Sequence, residues 1–430
     1  MSRNQYLILI SGLLFACSPQ LKEEQTEIVS DERIESESLT LPSGFSAQVV
    51  ADSIGKGRHI TIRENGDIYV KLNRVREDGT SIAALRDTDG DSRADEIGYF
   101  GEHRGTGIHI FNEYLYYSSD SAVYRYALDN NLVPQTERET VVGDLPNQSS
   151  HAAKPITFDE TGNLYVNVGA PSNACMEQAR TKGSPGMNPC PLLERQGSIW
   201  RFPNKTNMRH MVDGYQYSVG IRNVVALEWN PTAKNLYGVM HGRDQLDGMF
   251  PDLFDSAENA ELPAEEFFKF VDGGNFGWPY CFFNAVDQKK VKMPEYGGDG
   301  TMVGDCADVE QPLIGFPGHM APNDLLFYTG NQFPEKYKNG AFIAFHGSWN
   351  RAPLPQKGYF VVFVPMTDGM PSGDWEIFAD DFAGNPGDVI KSPGDAEHRP
   401  TGLAQGPDGS LYIVDSVKGK IWKISYSANA

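Results

Sequence analysis

The chain has 430 residues, a formal net charge of −20, 44 glycines and 27 prolines. The acidic balance argues against a nucleic-acid binder, whose footprint on phosphates is basic, and disfavours loose electrostatic attachment to an anionic membrane. The length would fit two average domains, but turn residues and repeats run through nearly all of it, which argues for one large all-β domain.

Arg3 precedes an apolar run from Tyr6 to Ala16, too short to span a bilayer and right for the core of a signal peptide. It ends Leu14-Phe15-Ala16-Cys17, which resembles a bacterial lipobox. Residues 1–16 then read as a lipoprotein signal peptide, with Cys17 lipidated. The chain is expected to be anchored by lipid in a bacterial cell envelope, on the periplasmic or surface side of the outer membrane. Residues 17–40 read as a polar, acidic, disordered tether, and residues 41–430 as the folded domain. Its first predicted strand is Phe45-Ser46-Ala47-Gln48-Val49-Val50.

A turn followed by an aromatic-rich strand then recurs. It reads Asn65-Gly66-Asp67-Ile68-Tyr69-Val70, Thr161-Gly162-Asn163-Leu164-Tyr165-Val166, Ala233-Lys234-Asn235-Leu236-Tyr237-Gly238 and Asp408-Gly409-Ser410-Leu411-Tyr412-Ile413. Looser copies begin at Asn112 and Lys338. Six copies of one turn-plus-strand unit predict a six-bladed β-propeller, with inserted loops and a disordered N-terminal tether.

Between the first two copies, Asp87, Asp89, Asp91 and Asp95 stand at spacings that suit a structural Ca²⁺. The twelfth position is Gly98, so the loop is not an EF-hand, and a plain acidic turn is the rival reading. Further on, Cys175, Cys190, Cys281 and Cys306 make an even set in an exported chain, which suggests disulfides. Pairing of nearest neighbours, Cys175-Cys190 and Cys281-Cys306, is the simplest of three connectivities. Insertions fall at roughly 170–195, 243–270, 281–310 and 380–398. Phe250 to Phe270 suits short helices, with Glu265-Glu266 read as a solvated face.

A basic residue stands 8 to 12 positions ahead of four copies: Arg58, His151, Arg222 and Arg399. In a propeller these places lie where each innermost strand enters beside the axis. Pairing of each with a local carboxylate is the bland reading. Convergence of all four would require a small polyanion between them. Arg offers planar forks for carboxylates, and His has the titration range of a general base.

The residues here resemble a known family. His151-Ala152-Ala153-Lys154-Pro155-Ile156-Thr157-Phe158-Asp159 is similar to the catalytic-base segment of soluble glucose/sorbosone dehydrogenases, six-bladed propellers that use pyrroloquinoline quinone (PQQ). Gly220-Ile221-Arg222-Asn223, Gly273-Gly274-Asn275-Phe276-Gly277-Trp278 and Phe345-His346-Gly347-Ser348-Trp349-Asn350-Arg351 follow in family order, the last in the version of sorbosone and pyranose dehydrogenase-like members. The resemblance implies His151 as general base and Arg222 with Asn223 against the quinone. It further implies Arg58, His319, Trp349, Arg351 and Arg399 around the cofactor, and backbone carbonyls of Gly242 and Arg243 on a Ca²⁺. Arg104 stands where glucose enzymes place a glutamine that orients PQQ, so the resemblance implies it too as a cofactor contact and puts glucose specificity in doubt. The implied activity is oxidation of a sugar or sugar aldehyde, with electrons passed to an unidentified acceptor, a cytochrome or a quinone. A non-catalytic carbohydrate-binding propeller lipoprotein and a metal-dependent propeller hydrolase are the alternatives.

Overall fold

Each turn copy opens the second strand of one antiparallel sheet, and six such sheets follow one another along the chain. The computed structural model describes residues 39–384 and 389–428, together with the two-residue strand Glu27–Ile28. Residues 1–16, Cys17 and most of the tether therefore lie outside the described residues.

Innermost strands are Gly57–Ile62, Ile108–Phe111, Ile156–Phe158, Val224–Asn230, Pro322–Phe327 and Pro400–Gln405, which define blades 1 to 6. They touch one another in sequence, and the last returns to the first, so the sheets close into a ring. Closure is made by Phe45–Ala51, which pairs antiparallel with Ile421–Tyr426 as the outer strand of blade 6. The ends of the domain are thus tied in one sheet.

The recurring unit has a local cause. The turn ahead of every second strand holds a residue with positive φ: Gly66, Asn112, Gly162, Lys234, Asn339 or Gly409. At Gly66 and Gly409 the left-handed conformation closes a tight reverse turn, which glycine adopts without penalty. The strand that follows is sandwiched between neighbouring blades, so Ile68–Leu72, Leu164–Val168, Ala341–Phe345 and Leu411–Asp415 are buried along their whole length. That burial explains why they read as continuous aromatic and aliphatic runs.

Packing is therefore between blades. Val50, Ile60, Val70, Leu85 and Val414 fill the interface of blades 6 and 1, and Tyr69, Leu115 and Tyr117 that of blades 1 and 2. Each fully buried large aliphatic side chain contributes about 1.5–3 kcal/mol. Two disulfides, Cys175–Cys190 and Cys281–Cys306, staple the insertions of blades 3 and 4.

The insertion of blade 4 holds two short helices, Leu246–Met249 and Ser256–Glu261. Glu265 and Glu266 are not a solvated face. They open the third strand of blade 4, Glu265–Phe270, and are 3% and 2% exposed. Glu265 accepts the backbone N–H groups of Gly242, Met320 and Ala321, and Glu266 pairs with Lys290 at 3.1 Å. Burial is compensated by partners distant in sequence.

Candidate functional site

All six innermost strands begin at one end of the ring, and the basic residues read from the sequence gather there. Arg58 is the second residue of its strand, Arg399 immediately precedes the strand of blade 6, and Arg222 and His151 stand just ahead of blades 4 and 3. His241 and His346, which directly follow the second strands Asn235–Met240 and Ala341–Phe345, join them. Their location at the exit of an apolar strand is a sequence signal as regular as the strand entry that marks Arg58.

The electrostatics show how close these groups are. Burial lowers Arg58 to about 10, with Asp324 opposing and Arg399 adding to the effect. Burial, then Arg399, Arg58 and His241, hold His346 well below the ordinary histidine value. His241 falls to about 4 through burial, with Arg222 and Arg58 adding to it and its hydrogen bond to the Pro322 carbonyl opposing. His151 falls to about 3 through burial and Arg222. Every one of these groups feels another cation, and the histidines are neutral at pH 7.

Arg222 is 3% exposed. One Nη2 donates to Asn173 Oδ1 at 2.9 Å and to Asp244 Oδ2 at 3.2 Å. Asp244 also takes Arg180 at 2.8 Å and Asn350 Nδ2 at 3.3 Å. Burial alone would raise its carboxyl, but Arg222 and Arg180 bring it to about 2. Asp244 and Asn173 are thus members of the site that the sequence reading missed.

Polar atoms are left over beside this network. Arg222 Nε and Asn223 Oδ1 are buried without a hydrogen-bond partner. Asn223 Oδ1 lies beside His151: a Cβ at Gly169 would stand 2.7 Å from the first and 3.1 Å from the His151 Cβ. His151 Nδ1 meets the Ala170 carbonyl at 2.5 Å, so Nδ1 carries the proton and Nε2 is the basic atom. Orphaned donors and acceptors at nine-tenths burial are costly; Arg222 Nε can donate to an anionic guest, and Asn223 Oδ1 calls for a donor on the same guest.

The loop after His241 also has a tight backbone. A Cβ at Gly242 would stand 2.9 Å from the carbonyl oxygens of Pro263 and Ala264, so only glycine fits. Arg243 turns its side chain away, fully buried against Glu295 at 2.5 Å.

Other expected cofactor contacts are placed differently. Arg351 donates to the carbonyls of Ala260, Gly318 (3.2 Å) and Pro355 (3.1 Å) and to Glu261 Oε1 (2.6 Å). His319 Nε2 meets the carbonyls of Asn259 and Leu262 at 2.8 and 3.0 Å, and its Nδ1 meets Asn350. Both residues fasten the loop around Asn350 to the helix Ser256–Glu261, so their polar atoms are engaged by protein instead of facing a guest. Arg104 is exposed and paired with Asp120 at 2.8 Å. Trp349 is 56% exposed, without a ring partner among the described residues.

Carboxylate oxygens of Asp87, Asp89 and Asp95 lie within 4.8 Å of one another. Asp91 is outside this group: its Oδ1 accepts the Arg93 N–H at 2.7 Å. The expected ring of four is a group of three on the outer side of blade 1.

A family model described as TrAA12-like matches residues 39–427. A protein of Borreliella burgdorferi described only as uncharacterized is 24% identical over 446 residues, 98% of each chain. The pyrroloquinoline quinone-dependent pyranose dehydrogenase of Coprinopsis cinerea is 23% identical over 365 residues, 75% of this chain. The match spans 46% of that enzyme's length. The holo form of its PQQ domain superposes with a TM-score of 0.71 at 18% identity, covering 90% of this chain and 97% of that domain. A calcium structure of the Trichoderma reesei family AA12 enzyme superposes with a TM-score of 0.73 at 19% identity, covering 93% and 99%.

Proposed function

The chain belongs to the TrAA12-like family, and from that premise and the cationic axis we propose that it is a PQQ-dependent dehydrogenase of a sugar or sugar aldehyde. The observation that carries this reading is the gathering of Arg222 and Arg58 about His241 and of Arg58 and Arg399 about His346, with Arg222 Nε and Asn223 Oδ1 left without partners. PQQ bound there would supply an acceptor for the hydride of a sugar carbon.

The chain's own residues do the rest. Arg58 and Arg222 would hold the carboxylates of the cofactor and Asn223 would orient it. Arg399, whose Nε and Nη2 donate to the carbonyls of His346 at 3.0 Å and Gly347 at 2.5 Å, would add its charge to the same end of the ring. Arg222 also stabilises negative charge that grows beside it. His151 Nε2 would remove the hydroxyl proton from the substrate, while the other ring proton stays on Nδ1, donated to the Ala170 carbonyl. The low proton affinity of His151 keeps it in the base form before the guest arrives. Carbonyls of Gly242 and Arg243 would hold the Ca²⁺ that accompanies the cofactor. Arg351 and His319 set the wall of the site through the helix Ser256–Glu261. Exposed Trp349 would offer its ring to the cofactor or substrate. The electron acceptor would be a cytochrome or a quinone. Cys17 would keep the domain at the cell envelope through its lipid.

The test is reconstitution. Apo-protein with PQQ and Ca²⁺ is expected to reduce an artificial dye when offered an aldose or a sugar aldehyde. No binding of PQQ by calorimetry, with no turnover across a broad carbohydrate panel, would overturn the assignment and favour a carbohydrate-binding propeller.

A further inference from the structure

Three carbonyl oxygens converge behind the candidate base, and one side chain serves them all. Gln148 Nε2 donates to the carbonyls of Ser150 at 2.9 Å, His151 at 2.9 Å and Gly169 at 2.8 Å. Its own Oε1 accepts from Gln196 Nε2 at 2.7 Å. The three carbonyls can only accept, so they fix which end of the Gln148 amide is the donor, and Gln196 completes the other end.

The local backbone needs such a brace. His151 sits at φ 52°, a conformation that few side-chain-bearing residues adopt. It lies ahead of the innermost strand of blade 3, outside any sheet ladder. Gly169 belongs to the neighbouring segment and is pressed against it: a Cβ there would stand 3.1 Å from both the His151 Cβ and its carbonyl oxygen. Three carbonyl dipoles facing one point repel unless a donor sits between them.

We propose that Gln148 is the positioning residue of His151. It locks the imidazole backbone to Gly169, and through Gly169 to Ala170, whose carbonyl fixes the Nδ1 proton. Gln196 holds Gln148 in turn, so the outer loop after Cys190 reaches the base through two amides. The proposal rests on the reading of His151 as base.

The test uses the full chain reconstituted with PQQ and Ca²⁺, and the same variants without cofactor. Gln148→Met keeps the length of the side chain and removes its donors. It is expected to lower kcat on the order of 10²-fold, the usual effect of a misplaced reacting group. PQQ affinity and the substrate KM are expected to stay within about twofold, by the same argument that only orientation is lost. In the cofactor-free protein, ¹⁵N NMR should show His151 as a pure Nδ1–H tautomer in the parent and as a mixture in Gln148→Met. Gln196→Met should cost less than Gln148→Met, and the double variant no more than Gln148→Met alone, because both act through one contact. Should Gln148→Met fail to fold, Gln196→Met carries the same tautomer readout. An unchanged kcat and an unchanged tautomer would overturn the proposal. His151→Ala separates the two ideas: if it abolishes turnover while Gln148→Met does nothing, the base reading stands and the positioning role falls. Full activity in His151→Ala would remove the base reading itself.

Discussion

His151 and Arg222 hang on the two polar groups of one residue. The Ala170 N–H donates to the Arg222 carbonyl at 2.8 Å, and the Ala170 carbonyl meets His151 Nδ1 at 2.5 Å. The base and the cation beside it therefore move as one unit, joined across blades 3 and 4. Their side chains can still be separated by mutation. His151→Ala is expected to bind PQQ as tightly as the parent and to lose about 10²- to 10⁴-fold in kcat, the usual contribution of general-base catalysis. Calorimetry and dye reduction on the same samples check it. Loss of binding in step with activity would mean that His151 is a cofactor contact.

Acidity should act on the apo-protein with a defined sign. Burial, then Arg222, push His151 down to about 3, and burial takes His59 to about 3 and His241 to about 4. In the unfolded chain these imidazoles protonate near the ordinary value of about 6.5. The fold binds fewer protons below that value, so its stability is present above about pH 6.5 and is lost as pH falls toward 3–4. Glu265, raised by burial to about 7, has the opposite sign and loses stability as pH climbs from the carboxylate range through 7. Asp324, raised by burial to about 8, and the raised Glu228, Glu266 and Asp380 share that sign. The lowered histidines, which also include His109, His210, His319 and His346, outnumber these carboxylates, so the denaturation midpoint should fall on acidification below 6.5. NMR of His151 Nε2 is the direct check: it should stay neutral to below pH 4 without cofactor and shift upward when a tricarboxylate enters. Titration near 6.5 in the apo-protein would contradict the packing described.

The sequence carries the fold because the propeller unit is local. A left-handed turn residue and a strand buried on both faces leave marks within six positions, as at Gly66 and Ile68–Leu72. Arg58, His151, Arg222 and Arg399 are legible for the same reason, since the register of each blade sets where its innermost strand begins. Arg351 and His319 are not. Their backbone positions suit the site, but the helix Ser256–Glu261 offers carbonyls that capture both side chains. That helix lies in an insertion whose docking has no local pattern. Glu265 and Glu266 look like solvent-facing charges because their compensating groups, the Gly242 N–H and Lys290, lie more than twenty residues away.

Calcium should separate into two effects. Asp87, Asp89 and Asp95 are gathered by backbone N–H and hydroxyl donors of their own loop, such as Gly90 on Asp87 and Thr88 on Asp95. If they hold Ca²⁺, stability rises with its concentration, by about 2.7 kcal/mol at a hundredfold excess over Kd. Asp89→Asn with Asp95→Asn should remove that gain in the cofactor-free protein and leave PQQ-dependent turnover intact. No Ca²⁺-dependent rise in the denaturation midpoint of the parent would leave the loop as an acidic turn.

The two disulfides should differ in what they protect. Cys175–Cys190 closes the loop just after Asn173. Asn173 Oδ1 accepts from Arg222 at 2.9 Å and from the Asp244 N–H at 3.0 Å, and its carbonyl takes Trp278 Nε1 at 3.0 Å. Opening that loop frees the residue that aims Arg222. Cys281–Cys306 closes the outer insertion of blade 4, beside the hairpin Cys281–Asn284 and Lys289–Lys292. Each bridge restricts the unfolded chain by a similar amount, so replacing either pair by Ser should cost about 3 kcal/mol in chemical denaturation. Only the Cys175→Ser/Cys190→Ser variant should also weaken PQQ binding by tenfold or more, since it alone loosens the Asn173–Arg222 contact. Equal loss of affinity in both variants would show that the site depends on general stability, not on the position of Asn173.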